Sequence, residues 1–154
     1  MKIPKVIDQE KYKVKKGLNG LGLFATETIK DKSWIIEYVG KKLTNKQSEN
    51  LTTQYLFDVS DTYTIDGSPR YNTARYINYS CNPNAEAWNI EDRIFIRAIK
   101  PILAGSEITY DYGKEFFDKF IKPKGCHCGA PECKFPVSSK KKSRPSVLSA
   151  KKPK

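Results

Sequence analysis

Apolar positions along the chain fall into short runs separated by polar turns. Runs at 12–16, 21–25, 34–39, 55–59, 63–66, 86–90, 93–98 and 107–112 are strand-length and rich in Ile, Val, Tyr, Phe and Trp. Turn signals such as Asn19-Gly20, Asp66-Gly67, Asn89-Ile90-Glu91-Asp92 and Ala104-Gly105 stand between them. Helical periodicity is confined to 45–51 and 114–122, where Phe116, Phe117, Phe120 and Ile121 form one face. The pattern predicts a mostly β domain (α+β) of small curved sheets with short helices. Residues 67–85 are polar and aperiodic, and long irregular stretches inside compact domains are more often functional than idle.

A chain of 154 residues suits one domain with its own core. Of the net charge of +11, eight positive charges fall in residues 134–154, which contain no acid, so the preceding residues carry only +3. Ser138-Ser139-Lys140-Lys141-Lys142-Ser143-Arg144-Pro145 buries too little apolar surface to offset chain entropy, which predicts a disordered basic tail over 137–154. Counterion release would draw such a tail to DNA or chromatin, and a solubilising charge run or a targeting signal reads equally well from the same residues. Residues 1–8 lack a secretory apolar core, and no run approaches the ~20 residues that span a bilayer. A soluble, intracellular, monomeric protein with no membrane association is expected, and in a reducing compartment its thiols are ligands rather than disulfides.

Cys126-His127-Cys128 and Cys133 form C-x-C-x4-C, and the one further cysteine is Cys81. A structural zinc takes four thiolates tetrahedrally at ~2.3 Å, which places the sulfurs about 3.8 Å apart. Cys81 completes that set if the fold carries the 78–84 loop to the C-terminus. The alternatives are a disulfide, or His127 as fourth ligand with Cys81 a buried thiol. Gly20-Leu21-Gly22 reads as a place where backbone approaches a ligand, or simply as a hairpin turn; no helix follows it, so a dinucleotide fingerprint is not supported.

Three segments gain meaning together: Gly20-Leu21-Gly22-Leu23-Phe24-Ala25, Ala74-Arg75-Tyr76-Ile77-Asn78-Tyr79-Ser80-Cys81-Asn82-Pro83-Asn84, and Glu107-Ile108-Thr109-Tyr110-Asp111-Tyr112-Gly113. Their order and content resemble SET-domain protein-lysine methyltransferases, with their G-x-G turn, R-F-I-N-H-S-C-x-P-N loop and E-L-T-Y/F-D-Y strand. The C-x-C-x4-C element resembles the family's post-SET zinc segment, whose fourth ligand comes from the asparagine loop. The resemblance covers about residues 12–136. It implies a lead-in over 1–11, a SET domain over 12–113, a post-SET zinc segment over 114–136, no pre-SET module, and a fold of small curved sheets with a pseudoknot.

The implied reaction moves a methyl group from S-adenosylmethionine to a protein lysine, on a histone or another basic nucleic-acid-associated protein. At pH 7 a solvated lysine (pKa about 10.4) is neutral in only about one molecule in a few thousand, so the site must favour the neutral amine. An apolar aromatic channel and a nearby sulfonium both do so, and tyrosines orient the amine without adding full charge. The resemblance makes Tyr112 the catalytic tyrosine, Tyr38 a wall of the lysine channel, and Tyr110 the phenylalanine/tyrosine switch, where a tyrosine implies mainly monomethylation, with dimethylation second. Each is otherwise a core strand aromatic. Donor binding falls to Gly20, Leu21, Gly22, Asn78 and the Tyr79 backbone, with Phe135 packing near the donor or lying in the tail, and Arg75 propping the loop. Tyr79 departs from the family's usual histidine. The competing classes are a catalytically silent peptide- or chromatin-binding module and a small basic zinc protein acting through its tail. Nucleus, prokaryotic cytoplasm and a secreted effector's host cell all fit.

Overall fold

The computed structural model describes residues 1–137, so all but the first residue of the tail expected over 137–154 lies outside the described residues. After a 3-10 turn at Gln9–Lys11, strands β1 (Tyr12–Gly17) and β2 (Gly20–Ala25) form a hairpin in continuous register from Tyr12 opposite Ala25 to Gly17 opposite Gly20. Leu18 and Asn19 are its connection, and Gly20, at φ 83°, takes the left-handed conformation that glycine adopts without a Cβ clash. Thus Gly20-Leu21-Gly22 is the opening of a strand rather than the turn itself. β3 (Trp34–Tyr38) pairs with β9 (Arg93–Ala98), and β9 pairs with β8 (Ala85–Ile90) through a tight hairpin. Its central residues Glu91 and Asp92 both have positive φ, 52° and 58°, as a type I′ turn requires.

β10 (Glu107–Tyr110) is the junction. It lies antiparallel to β2 and parallel to both β8 and the two-residue β7 (Asn78–Tyr79), giving the path β1-β2-β10-β8-β9-β3 with β7 branching from β10. A second sheet has the order β4 (Lys41–Thr44), β6 (Tyr63–Asp66), β5 (Leu56–Asp58). Helix α1 (Asn45–Ser48) is one turn closed by a capping box between Thr44 and Gln47. The expected helix over 114–122 is α2 (Lys114–Phe116) running into a π-turn at Phe117–Ile121, where the Lys122 N–H bonds to the Phe117 carbonyl at 2.8 Å.

The mostly β, curled architecture expected from the pattern is the one observed. The main core holds Leu23, Ile35, Ile94, Ile96 and Ile108, all essentially inaccessible. A smaller cluster joins Tyr79, Ile121 and Cys126 to Tyr112, Phe116, Phe117 and the other cysteines. The three motif segments contribute to both: Leu23, Ile77, Ile108 and Tyr110 belong to the main core, and Tyr79 belongs to the smaller cluster with Cys81 packed against it. Among the described residues no helix is long and apolar enough to cross a membrane.

Candidate active site and metal-binding cluster

Asn78 ties the three motif segments together. Its side-chain amide donates to the Leu21 carbonyl at 3.0 Å and to Glu107 Oε1 at 2.7 Å. β7 can do this because it runs parallel to β10, with Asn78 opposite Thr109 and Tyr79 opposite Tyr110. Asn84 fastens the far end of the loop, donating to the Glu107 carbonyl at 2.8 Å and accepting from the Thr109 N–H at 2.9 Å. Gly22 faces the same node: a Cβ there would lie 2.4 Å from Glu107 Oε1. Glycine at 22 therefore gives the carboxylate room to reach Asn78.

Past β10 the chain crosses the asparagine loop, and the Tyr112 hydroxyl donates to the Ile77 carbonyl. This is the tucked arrangement that the resemblance implies. The Tyr110 and Tyr112 ring centroids are 4.6 Å apart. Tyr38 approaches from β3, and its hydroxyl donates to the Tyr55 carbonyl at 2.7 Å. A Cβ on Gly67 would lie 2.3 Å from the Tyr38 ring, so glycine there lets the ring pack against the backbone. The three tyrosines, with Tyr55, Asn78 and Arg75, line a narrow cavity of about 150 Å³. It adjoins an open groove of about 470 Å³ between residues 51–58 and 115–120, and Gln54, Leu56, Phe57 and Phe116 belong to both.

Burial pushes the Tyr38, Tyr110 and Tyr112 phenols well above the ordinary tyrosine range, and neighbouring tyrosines add to the effect. All three remain protonated at neutral pH. A hydroxyl that donates to a carbonyl keeps acceptor capacity on its oxygen, which suits it to receive an N–H. Arg75 is the one charged residue lining the cavity. Its guanidinium stacks over Tyr55 at 4.2 Å and Tyr76 at 5.1 Å, consistent with a prop, while its buried Nε has no hydrogen-bond partner among the described residues. An amine entering between these walls loses solvent and meets a like charge, and both favour its neutral form.

The four cysteines converge. Cys81 Sγ is 4.0 Å from Cys126 Sγ and 3.7 Å from Cys133 Sγ, and all four sulfurs lie within 4.8 Å of one another. These separations are far longer than a disulfide bond and close to the edges of a thiolate tetrahedron around zinc. The four cysteines are free thiols, so the disulfide alternative falls. His127 is exposed and stands outside the group, so Cys81 is the fourth member. Burial opposes ionisation of Cys128, yet backbone N–H groups at Cys81 and Ala130 and the neighbouring sulfurs hold its thiol down at about 7. Burial pushes Cys133 up to about 11. Such a set of thiols could hold a metal ion, which would take the charge that the sulfurs cannot all carry alone.

The remaining expected donor-site residues are less enclosed. Leu21 is 53% exposed and enters the network through its carbonyl. Phe135 is 40% exposed and accepts the Cys126 N–H at 2.8 Å through its own carbonyl. Tyr79 is fully buried between Tyr112 and Phe117. Sequence reasoning did not single out Tyr55, Gly67, Glu107 or Phe116 as site residues. Glu107 opens the tyrosine-strand motif, and a carboxylate at the head of an apolar strand is the signal that could have found it. Tyr55 acts through its carbonyl, which carries no sequence signal.

Residues 20–113 match the SET domain family. Histone-lysine N-methyltransferase ASHH3 of Arabidopsis thaliana is 37% identical over 143 residues, covering 84% of this chain and 38% of the relative. Histone-lysine N-methyltransferase 2D of Homo sapiens is 34% identical over 135 residues, covering 80% of this chain and 2% of the relative. The H3 lysine-4 specific histone-lysine N-methyltransferase of Saccharomyces cerevisiae is 35% identical over 130 residues, covering 76% and 12%. The chain thus spans at most 38% of the length of these relatives. With its family match running through the glycine strand, the asparagine loop and the tyrosine strand, the chain belongs to the SET domain family.

Proposed function

We propose that this chain is a protein-lysine N-methyltransferase that uses S-adenosylmethionine and acts on a histone or another basic nucleic-acid-associated protein. The observation that carries the reading is the convergence of Tyr38, Tyr110 and Tyr112 on one narrow cavity beside the Asn78 node. The names of the relatives supply the substrate class, and chromatin is the corresponding location.

In this reading the adjoining groove receives the substrate chain and the cavity its lysine. Tyr112 holds the amine at the transfer point, Tyr38 forms the channel wall, and Tyr110 limits the product mainly to monomethyl-lysine, with dimethyl-lysine second. Gly20, Leu21, Gly22, Asn78 and the Tyr79 main chain bind the donor, and Phe135 closes over it. When bound, S-adenosylmethionine supplies an electrophilic methyl on a positive sulfonium. The chain's own contribution is to exclude water, favour the neutral amine and hold it in line, which together supply much of a methyl transfer. Residues 114–136 form the post-SET segment, with Cys81, Cys126, Cys128 and Cys133 on a structural zinc. Such a closed site has no open position for chemistry.

The test is mass spectrometry of core histones, histone tail peptides and the protein itself after incubation with the methyl donor. Wild type should add methyl groups to lysine on at least one of them, and Tyr112→Phe should be slower by roughly 100-fold or more, as for loss of a preorganised polar group at a reacting centre. No methyl-lysine on any substrate with zinc-replete wild type would overturn the proposal. Donor or peptide binding without turnover would then identify a silent module.

A further inference from the structure

One polar contact in the cysteine cluster lies outside the roles assigned so far. Tyr79 is 1% exposed, and its hydroxyl sits 3.4 Å from Cys81 Sγ. Its main chain is fixed by pairing with Tyr110 in β10. Its ring is held by Tyr112 at a centroid distance of 5.9 Å and by Phe117 at 5.8 Å. Held in this way by backbone and ring, the hydroxyl meets the Cys81 sulfur. The contact belongs to this chain's own residue, since the resembling family usually has histidine at this position.

We propose that Tyr79 is an outer-sphere hydrogen-bond donor to the metal-bound thiolate of Cys81, so that metal retention and the position of the asparagine loop are set by one side chain. A metal-bound cysteine has lost its proton and can only accept, whereas a phenol at neutral pH still has a proton to donate. The Lys134 N–H donates to the same sulfur at 3.3 Å. Cys81 thus accepts from its own loop and from the C-terminal segment, and it is the one ligand outside that segment. Outer partners of this kind orient the ligand and typically carry 10- to 100-fold in metal affinity. Through its ring contact with Tyr112, the same side chain joins the metal cluster to the wall of the tyrosine cavity.

The inference rests on the reading that the four sulfurs hold zinc, and the experiment separates the two. Wild type and Tyr79→Phe, both loaded with one zinc, are titrated with a chromophoric chelator. The Phe variant keeps the ring packing and the Lys134 donor, and should yield its zinc at roughly 10- to 100-fold lower chelator concentration. Equal zinc affinity in the two proteins would overturn the inference while leaving the zinc site standing. A wild type that binds no zinc would overturn the zinc reading and the inference with it. Should Tyr79→Phe fail to fold, wild type loaded with cadmium-113 decides. Scalar coupling between the Tyr79 hydroxyl proton and the metal, carried through the O–H···S bond, supports the donor role, and its absence overturns it.

Discussion

Tyr110 and Tyr112 differ in what surrounds them, and the difference fixes what each substitution should do. Tyr112 is anchored through its hydroxyl to the Ile77 carbonyl, whereas Tyr110 is 4% exposed and packs against it with ring centroids 4.6 Å apart and planes inclined at 51°. Tyr110→Phe removes one oxygen from the cavity wall and leaves the ring packing, so its stability cost should stay within about 1 kcal/mol. The room released allows an already methylated amine to turn its lone pair back toward the donor. The expected outcome is a shift from mono- toward di- and trimethyl-lysine in a mass-spectrometric time course. An unchanged methylation number would remove Tyr110 from the switch role. These residues were legible because motif and chemistry coincide in their side chains. Tyr55 and Gly67 were not, because one contributes a carbonyl and the other an absence of Cβ beneath Tyr38.

At the scale of elements the molecule turns on β10, which joins the β1–β2 hairpin to β7 and β8. Its two ends do different work: Glu107 reaches Asn78 beside Gly22, and Tyr110 leads into Tyr112 across the loop. Gly22→Ala therefore tests the node. The added methyl would sit 2.4 Å from Glu107 Oε1 and 3.1 Å from the Phe24 ring, and the flexible carboxylate is the group able to move. Moving it breaks a charge-assisted hydrogen bond of roughly 1.5–3 kcal/mol. Donor or product-nucleoside affinity measured by calorimetry should fall about 10-fold or more, with the hairpin still formed. Unchanged affinity would mean that the node does not shape the donor site. Every strand predicted from apolar runs is present, within one or two residues at each end. The missed strands are β4 and β7. Lys41-Lys42 gives β4 no apolar alternation, and β7 is two residues whose pairing comes only from contact with β10. A tertiary partner made these strands, so local sequence could not announce them.

At the scale of the whole described chain, residues 1–137, the buried hydrophobic side chains form two clusters of unequal size, and the asparagine loop supplies Ile77 to one and Tyr79 to the other. Among the described residues the main core gathers eighteen buried side chains, while the C-terminal cluster has three, Tyr79, Ile121 and Cys126. A cluster that small supplies little hydrophobic stabilisation, and its helical elements are single turns. Convergence of the four sulfurs depends on the segment holding its shape: Cys126 exchanges backbone bonds with Phe135 and Val137, and Lys134 pairs with Asp111 at 3.1 Å. The exposed ion pair contributes at most about 1 kcal/mol, so a metal held by the four sulfurs would be the dominant force available there. Metal removal should consequently be local. After treatment with a strong zinc chelator, hydrogen exchange should rise by several orders of magnitude across 114–137 and the 78–84 loop. β3, β8 and β9, paired in the main core, should keep their protection. Methyl-donor affinity should fall with the same chelator dependence, because the loop that opens carries Asn78. Uniform exchange across all strands would instead make the metal a condition of the entire fold. Unchanged exchange at 114–137 would mean that packing alone orders the segment.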